Sequence, residues 1–276
     1  MNKRRIRYKN EIGQELFFGN GGELFVENLD TDSIQGRPTA EQLAFSPGQR
    51  TIHRSAAART VVADLAFCDR YGDKETMRTL CEIFSPLYSG ELTVYGYDGE
   101  EYRLTVTPAA NVQPVRQSTP WIYKMSVDFV ADDPFWRVGS VKDARLHLNN
   151  TGSGTSQAQD SKNITYSGTV KAPLYISVSP VDDDTKRAPV YISVGGKGLY
   201  IYDEEAPART IIINSETLAV TDSAGNDAST SLDAHYEISE LYLCPGANTI
   251  TVTVTGSGAA DIVINYYKLC QGVPKW

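Results

Sequence analysis

The side chains in this 276-residue sequence that could carry chemistry are few and scattered. The three histidines, His53, His147 and His235, stand far apart, none in a recognisable motif. A general base or a zinc ligand set needs converging partners, so each is read as a surface or loop residue. The four cysteines, Cys68, Cys81, Cys244 and Cys270, form no CxxC pair and have no histidine at ligand spacing. Without a secretory signal they are read as reduced, partly buried thiols. Two acidic runs, Asp182-Asp183-Asp184 and Asp203-Glu204-Glu205, fall in turn-like segments. Neither alternates oxygen ligands around a glycine as a calcium loop does, so both are read as solvated turns. Gly19-Asn20-Gly21-Gly22 and Gly195-Gly196-Lys197-Gly198 open no helix and are read as hairpin turns rather than phosphate cradles. GxSxG, HExxH and P-loop motifs are all missing. The expectation is no catalytic residue, no cofactor and no metal: a structural or binding protein rather than an enzyme.

Aromatic stacking is the remaining chemistry. The sequence has 16 tyrosines against 3 tryptophans and 8 phenylalanines. Sugar sites pair exposed aromatic faces with polar side chains that meet hydroxyls. Tyr200, Tyr202, Tyr266 and Tyr267 are candidates by type. Strand alternation puts Tyr200 and Tyr202 on one face but Tyr266 and Tyr267 on opposite faces. Core or interface packing is the preferred reading, and a non-catalytic carbohydrate-binding module is kept as the alternative function.

The elements that must position such residues are mostly strands. Formal net charge is −8, which argues against a nucleic-acid partner. The one basic cluster, Lys3-Arg4-Arg5-Ile6-Arg7, is read as an exposed strand or solvated tail with no apolar run behind it. No apolar window is long enough to enter a membrane. Residues 6–29 read as strand, turn, strand, and residues 30–50 as a long loop. Thr60–Phe67 reads as a strand. A helix follows, with Asp73 as N-cap, an apolar stripe of Met77, Leu80, Cys81 and Phe84, and Pro86 as its stop. Glu91–Tyr97 and Glu100–Thr107 flank Asp98-Gly99, a pair suited to a tight hairpin turn. In the strand Trp121–Val130, the set Tyr123, Met125, Val127 and Phe129 is the better buried face. It runs into Asp133-Pro134-Phe135-Trp136, where composition changes and a domain boundary is expected. Pro134 should stop the strand, and Phe135 and Trp136 should seal the first core. Residues 149–163 hold no large apolar side chain and are read as a flexible linker or loop. Beyond 164 only short strands recur, as in an antiparallel sandwich. The fold class is mainly β in two domains, 1–140 and 141–276. The first is a β-sandwich-like domain with one α-helix and a β-hairpin.

This layout resembles the distal tail proteins of long-tailed phages, the siphovirus tail component family. The resemblance lies in Asn10-Glu11-Ile12-Gly13, the helix ending in Phe84 and Pro86 before the Leu92–Val94 strand, and Leu241–Ile250 with its Pro245-Gly246-Ala247-Asn248 turn. The most specific element is Phe129–Trp136, ending Asp-Pro-Phe-Trp. The resemblance implies a homo-hexameric ring of N-terminal domains at the virion tail tip, assembled in the bacterial host cytoplasm. It would join the major tail tube protein to the tail-associated hub protein. It also implies a galectin-like or carbohydrate-module-like C-terminal sandwich that holds receptor-binding or other baseplate proteins. The basic start at Lys3–Arg7 is not part of the family pattern. The hairpin 91–107, with Leu92, Val94, Tyr95, Tyr102 and Leu104, is one candidate for an edge contact between copies.

Overall fold

The computed structural model describes residues 5–19, 24–31, 34, 36–42, 49–68, 74–118, 121–152, 155–180, 189–202, 209–233 and 237–274; side chains at 37–42, 49–55 and 74 are left aside. The chain packs as two units. One comprises residues 1–139 and 270–276, the other residues 140–269.

Alternation builds the first unit. Its strands are β1 (Arg5–Asn10), β2 (Glu15–Gly19), β3 (Phe25–Asp30), β4 (Gly36–Gln42), β5 (Gln49–Ala56) and β6 (Arg59–Cys68). After helix α1 (Lys74–Ile83) come β7 (Gly90–Tyr95), β8 (Glu101–Pro108), β9 (Val115–Arg116) and β10 (Ile122–Ala131). In β1, β6, β8 and β10 every second residue turns inward over most of the strand. Ile6 and Tyr8, Leu92 and Val94, and Tyr102, Leu104 and Val106 come from the layer β2-β1-β7-β8. Val61, Ala63, Leu65, Met125, Val127 and Phe129 come from the layer β3-β6-β10. All belong to one core, joined by Leu80 and Ile83 of α1 and by Phe84 just after it. Met77 and Cys81 pack against it half-buried, so the expected helix stripe faces inward. The Asp73 cap lies outside the described residues. At the core's centre the Tyr8 ring stacks on Phe84 (centroids 5.5 Å apart) and lies 5.1 Å from Phe129.

Strand β11 (Trp136–Asn150) carries the chain from one unit to the other. The second unit then holds β12 (Gln157–Tyr166), β13 (Ala172–Pro173), β14 (Tyr175–Pro180), β15 (Val190–Val194), β16 (Lys197–Ile201), β17 (Ile211–Asn214) and β18 (Ala219–Asp222). It ends with β19 (Tyr242–Leu243), β20 (Gly246–Thr255) and β21 (Gly258–Cys270). One layer runs β12-β20-β15-β16, and the other runs β18-β17-β14-β21-β11. All printed pairings within them are antiparallel. Ile164, Ile192, Leu199, Ile250 and Val252 of the first layer are buried, as are Ile176, Ile211, Ile213, Ile262 and Ile264 of the second. The fold is therefore mainly β with antiparallel sandwiches.

Two segments differ from the sequence reading. Residues 149–163 are not a linker or loop over most of their length. β11 reaches Asn150, and β12 pairs with β20 from Gln157↔Thr255 to Tyr166↔Gly246. The missing apolar residues reflect position: residues 159–163 are exposed at the edge of the sheet, where the ladder needs only backbone groups. Residues 270–274 belong with the first unit rather than the second, because Cys270 and Val273 are buried in its core.

Candidate assembly surfaces

The Asp133–Trp136 segment forms a turn fixed by its own side chains. Phe135 N donates to Asp133 Oδ1 (3.2 Å), while Arg137 Nη2 lies 3.9 Å from Asp133 Oδ2. Pro134 is buried, Phe135 and Asp133 are half-buried, and Trp136 is wholly enclosed. Against the indole lies Arg59, itself fully buried, with its guanidinium carbon 5.7 Å from the ring centroid. Arg59 Nη1 donates to the Thr31 carbonyl (2.8 Å), and Nη2 donates to the Gln271 carbonyl. A buried cation needs such acceptors and a polarisable face. The sequence reading missed Arg59, although alternation places it on the same face as Val61, Ala63 and Leu65.

The β7–β8 hairpin forms where Asp98-Gly99 placed it. Gly99 has φ +81°, and Gly96 N donates to the Glu100 carbonyl (2.9 Å). Asp98 Oδ2 accepts from Tyr102 OH (2.5 Å); burial first, and this carboxylate second, hold the phenol well above its usual pKa. Within the chain most of the side chains named for an edge contact between copies are enclosed. Leu92, Val94, Tyr102 and Leu104 are buried, and β7 is already paired with β1 on one side and β8 on the other. Alternation alone could not show that β1 returns to cover that edge. Only Tyr95 remains half-buried, near the Arg5 guanidinium (5.6 Å), which also stacks 4.6 Å from the Phe17 centroid.

Two other surfaces of the first unit are more open. β4 and β5 pair with each other from Gly36↔Ala56 to Gln42↔Gln49 and, among the described residues, with no other strand. The outer face of β3-β6-β10 carries a groove of about 450 Å³ lined by Glu27, Asp64, Gln113, Lys124 and Ser126. Lys124 Nζ and Glu27 Oε1 form an ion pair there (2.5 Å), and Phe25, Val115 and Trp121 are exposed.

In the second unit the sugar-site candidates separate. Tyr200 of β16 and Tyr202 just beyond its end have ring centroids 5.8 Å apart. Tyr191 of β15 adds a third ring 4.5 Å from Tyr200. Tyr266 and Tyr267 are both half-buried, Tyr266 edge-on to Tyr166 at 6.1 Å. Asn248 holds the Pro245-Gly246 turn: its Oδ1 accepts from Cys244 N (2.8 Å), and its Nδ2 donates to the Cys244 and Gly246 carbonyls (2.7 and 3.0 Å). His147 Nδ1 sits 2.6 Å from Asp261 Oδ1, with both side chains more than half exposed. The His53 side chain, His235 and both acidic runs lie outside what is described. Among the described residues no group of three His, Cys, Asp or Glu side chains is arranged to hold a metal ion, and no helix is long and apolar enough to cross a membrane.

No family model and no curated protein matches the sequence. The fold matches that of the Dit protein of phage SPP1, described as a paradigm of the hub adsorption apparatus in phages infecting Gram-positive bacteria. The TM-score is 0.65 at 13% identity, over 94% of this chain and 98% of that one. The chain has the fold of a phage distal tail protein. A chain of the phage P2 baseplate in its activated conformation with Ca aligns over 96% of this chain and 98% of its own length, at 9% identity and TM-score 0.44. One from the phage p2 baseplate with Sr gives 95%, 97%, 9% and 0.42. The distal-tail fold thus arises here from a sequence that shares few residues with the SPP1 protein.

Proposed function

We propose that this chain is a structural, non-enzymatic protein of a phage tail tip. Six copies close a ring through the first unit. The ring joins the major tail tube protein on one side to the tail-associated hub protein on the other. The second unit carries receptor-binding or other baseplate proteins at the periphery. Assembly takes place in the host cytoplasm, and the finished protein resides at the tail tip of the virion. The observation that supports this most is the near-complete, two-way coverage of the match to SPP1 Dit, a protein of a hub adsorption apparatus.

Ring closure requires one surface of each copy to meet a different surface of the next. In this proposal the β4–β5 hairpin supplies the first surface. Its outer edges have no strand partner among the described residues, and an unpaired edge is a template for pairing with another chain. The grooved outer face of β3-β6-β10, which holds the Lys124–Glu27 ion pair and exposes Phe25, with Trp121 exposed just before β10, is the second. Apolar anchors with a polar rim are the usual make-up of such contacts. Negative-stain electron microscopy of the purified chain tests this: six-fold rings are expected, and a field of monomers at every concentration overturns it.

A further inference from the structure

The outer face of the β12-β20-β15-β16 sheet is neither a core nor an ordinary charged surface. Backbone register sets one row across it: Gln159 opposite Thr253, Thr253 opposite Tyr191, Tyr191 opposite Tyr200. Three strand spacings make this row about 14 Å wide, enough for more than one sugar ring. Tyr202, two residues along the chain from Tyr200, lies beside the end of this row, its ring stacked on its neighbour's at 25°. The Tyr191 ring lies over Gly198 and 4.5 Å from Tyr200, tilted 38° to it, so the half-buried Tyr191 and Tyr200 and the exposed Tyr202 pack into one aromatic cluster. Beside the cluster runs a lawn of hydroxyls and amides. Thr251 Oγ1 is held 3.2 Å from Ser161 Oγ, and Thr249 Oγ1 donates to Asn163 Oδ1 (2.9 Å). These cross-strand bonds fix the positions of the polar groups in advance.

In a chain that is 22% charged, no outward position of this face from 157 to 163, from 249 to 255, or on β15 carries an Asp, Glu, Lys, Arg or His. The charged residues of β12, Asp160 and Lys162, stand opposite Val252 and Ile250, on the other side of the strand. Protein interfaces also gather tyrosine, together with methionine and arginine; the outward positions named here carry neither methionine nor arginine. Aromatic faces for C–H surfaces beside fixed hydroxyls and amides match a polyhydroxyl ligand, and the absence of charge matches a neutral one.

The geometry points to a neutral polysaccharide-binding site on this face, with Tyr191, Tyr200 and Tyr202 as the stacking platform and Gln159, Thr251 and Thr253 as hydroxyl partners. It goes beyond the tail-tip role and does not rest on it. Affinity electrophoresis of the full chain through gels containing dextran, galactan or mannan tests it, with hyaluronate as the charged comparator. Retardation by at least one neutral polysaccharide and not by hyaluronate is expected. The Tyr191→Ala and Tyr202→Ala changes should each weaken it about tenfold, since losing one stacked ring removes on the order of 1 kcal/mol or more. Thr253→Glu, which puts a charge in the row, should weaken it without removing a ring. Melting temperature and solution mass of each variant should match the wild type. No retardation in any neutral gel overturns the assignment, as does retardation untouched by Tyr191→Ala and Tyr202→Ala together. A solution mass that changes with Tyr202→Ala also overturns it, by placing the face at a contact between copies.

Discussion

The Arg59 guanidinium lies 5.7 Å from the centre of the Trp136 ring, and neither side chain is reached by solvent. That pair gathers three distant stretches of the first unit. Arg59 donates to the carbonyls of Thr31 and Gln271, and Trp136 follows the Asp-Pro turn. Arg59→Ala would leave both carbonyls short of a donor and open a cavity beside the indole. It should destabilise the first unit by about 2–4 kcal/mol. Arg59→Lys keeps the charge but not the fork and should fall between the two. Urea unfolding followed by tryptophan fluorescence reads the difference; unchanged midpoints would mean the pair is not a structural anchor.

Tyr8 makes the opposite case, a buried hydroxyl with no hydrogen-bond partner among the described residues. Burial first, and the Glu11 charge second, push its pKa from 10.0 to about 12. The folded state therefore holds the phenolic proton more tightly than the unfolded chain. The stability this gives is complete below pH 10 and is lost as pH rises toward and through about 12. Tyr8→Phe removes both the unpaired group and the titration. It should raise stability at neutral pH by up to about 1 kcal/mol and flatten the alkaline fall in melting temperature. Gly90 lies against the same ring: a Cβ there would stand 2.7 Å from Tyr8 Cε2 and 2.6 Å from the Lys9 carbonyl. Gly90→Ala should cost about 1–3 kcal/mol by overpacking, a loss that thermal unfolding would detect.

The acid side is set in the second unit. Asp222 accepts from Asn226 Nδ2 (3.0 Å) and from the Asn226 and Ala224 amides (both 2.9 Å), with Arg209 3.6 Å away. The Asn226 side chain first, then these amides and the Arg209 charge, hold its carboxyl below the ordinary 3.8. A depressed folded pKa contributes stability above the ordinary value that disappears as pH falls through the folded one. Asp222→Asn should lower the melting temperature at neutral pH and shrink its decline on acidification. An acid limb identical to the wild type's would contradict the assignment.

The alternation of β6, β8 and β10, the α1 stripe and the Asp98-Gly99 turn were legible because each is local: side-chain period and turn chemistry act within a few residues. Non-local pairing was not. Nothing in Glu91–Tyr95 reveals that β1 covers its edge, so the hairpin looked free for a partner. Polarity misled at 157–163, where an exposed edge strand needs no apolar residue. Tyr200 and Tyr202 were legible as one face, but Tyr191 joined them only through the β15–β16 register. Arg59 was missed because the inward face of β6 was read from Thr60 onward, one residue too late.

The free-edged β4–β5 hairpin makes a separable prediction about assembly. Replacing residues 37–55 with a short Gly-Ser link removes the proposed contact and leaves the buried core strands in place. The variant should keep the wild-type melting temperature but run as a monomer in size-exclusion chromatography with light scattering. A variant that still assembles would move the ring contact elsewhere.

Location on the particle tests the tail-tip role most directly. Antibody raised against the purified chain, gold-labelled and imaged on phage particles made from the genome that encodes it, should decorate the tail end distal to the capsid, at one position per particle. Particles that carry no label, or label spread along the tail tube or on the capsid, would contradict the account.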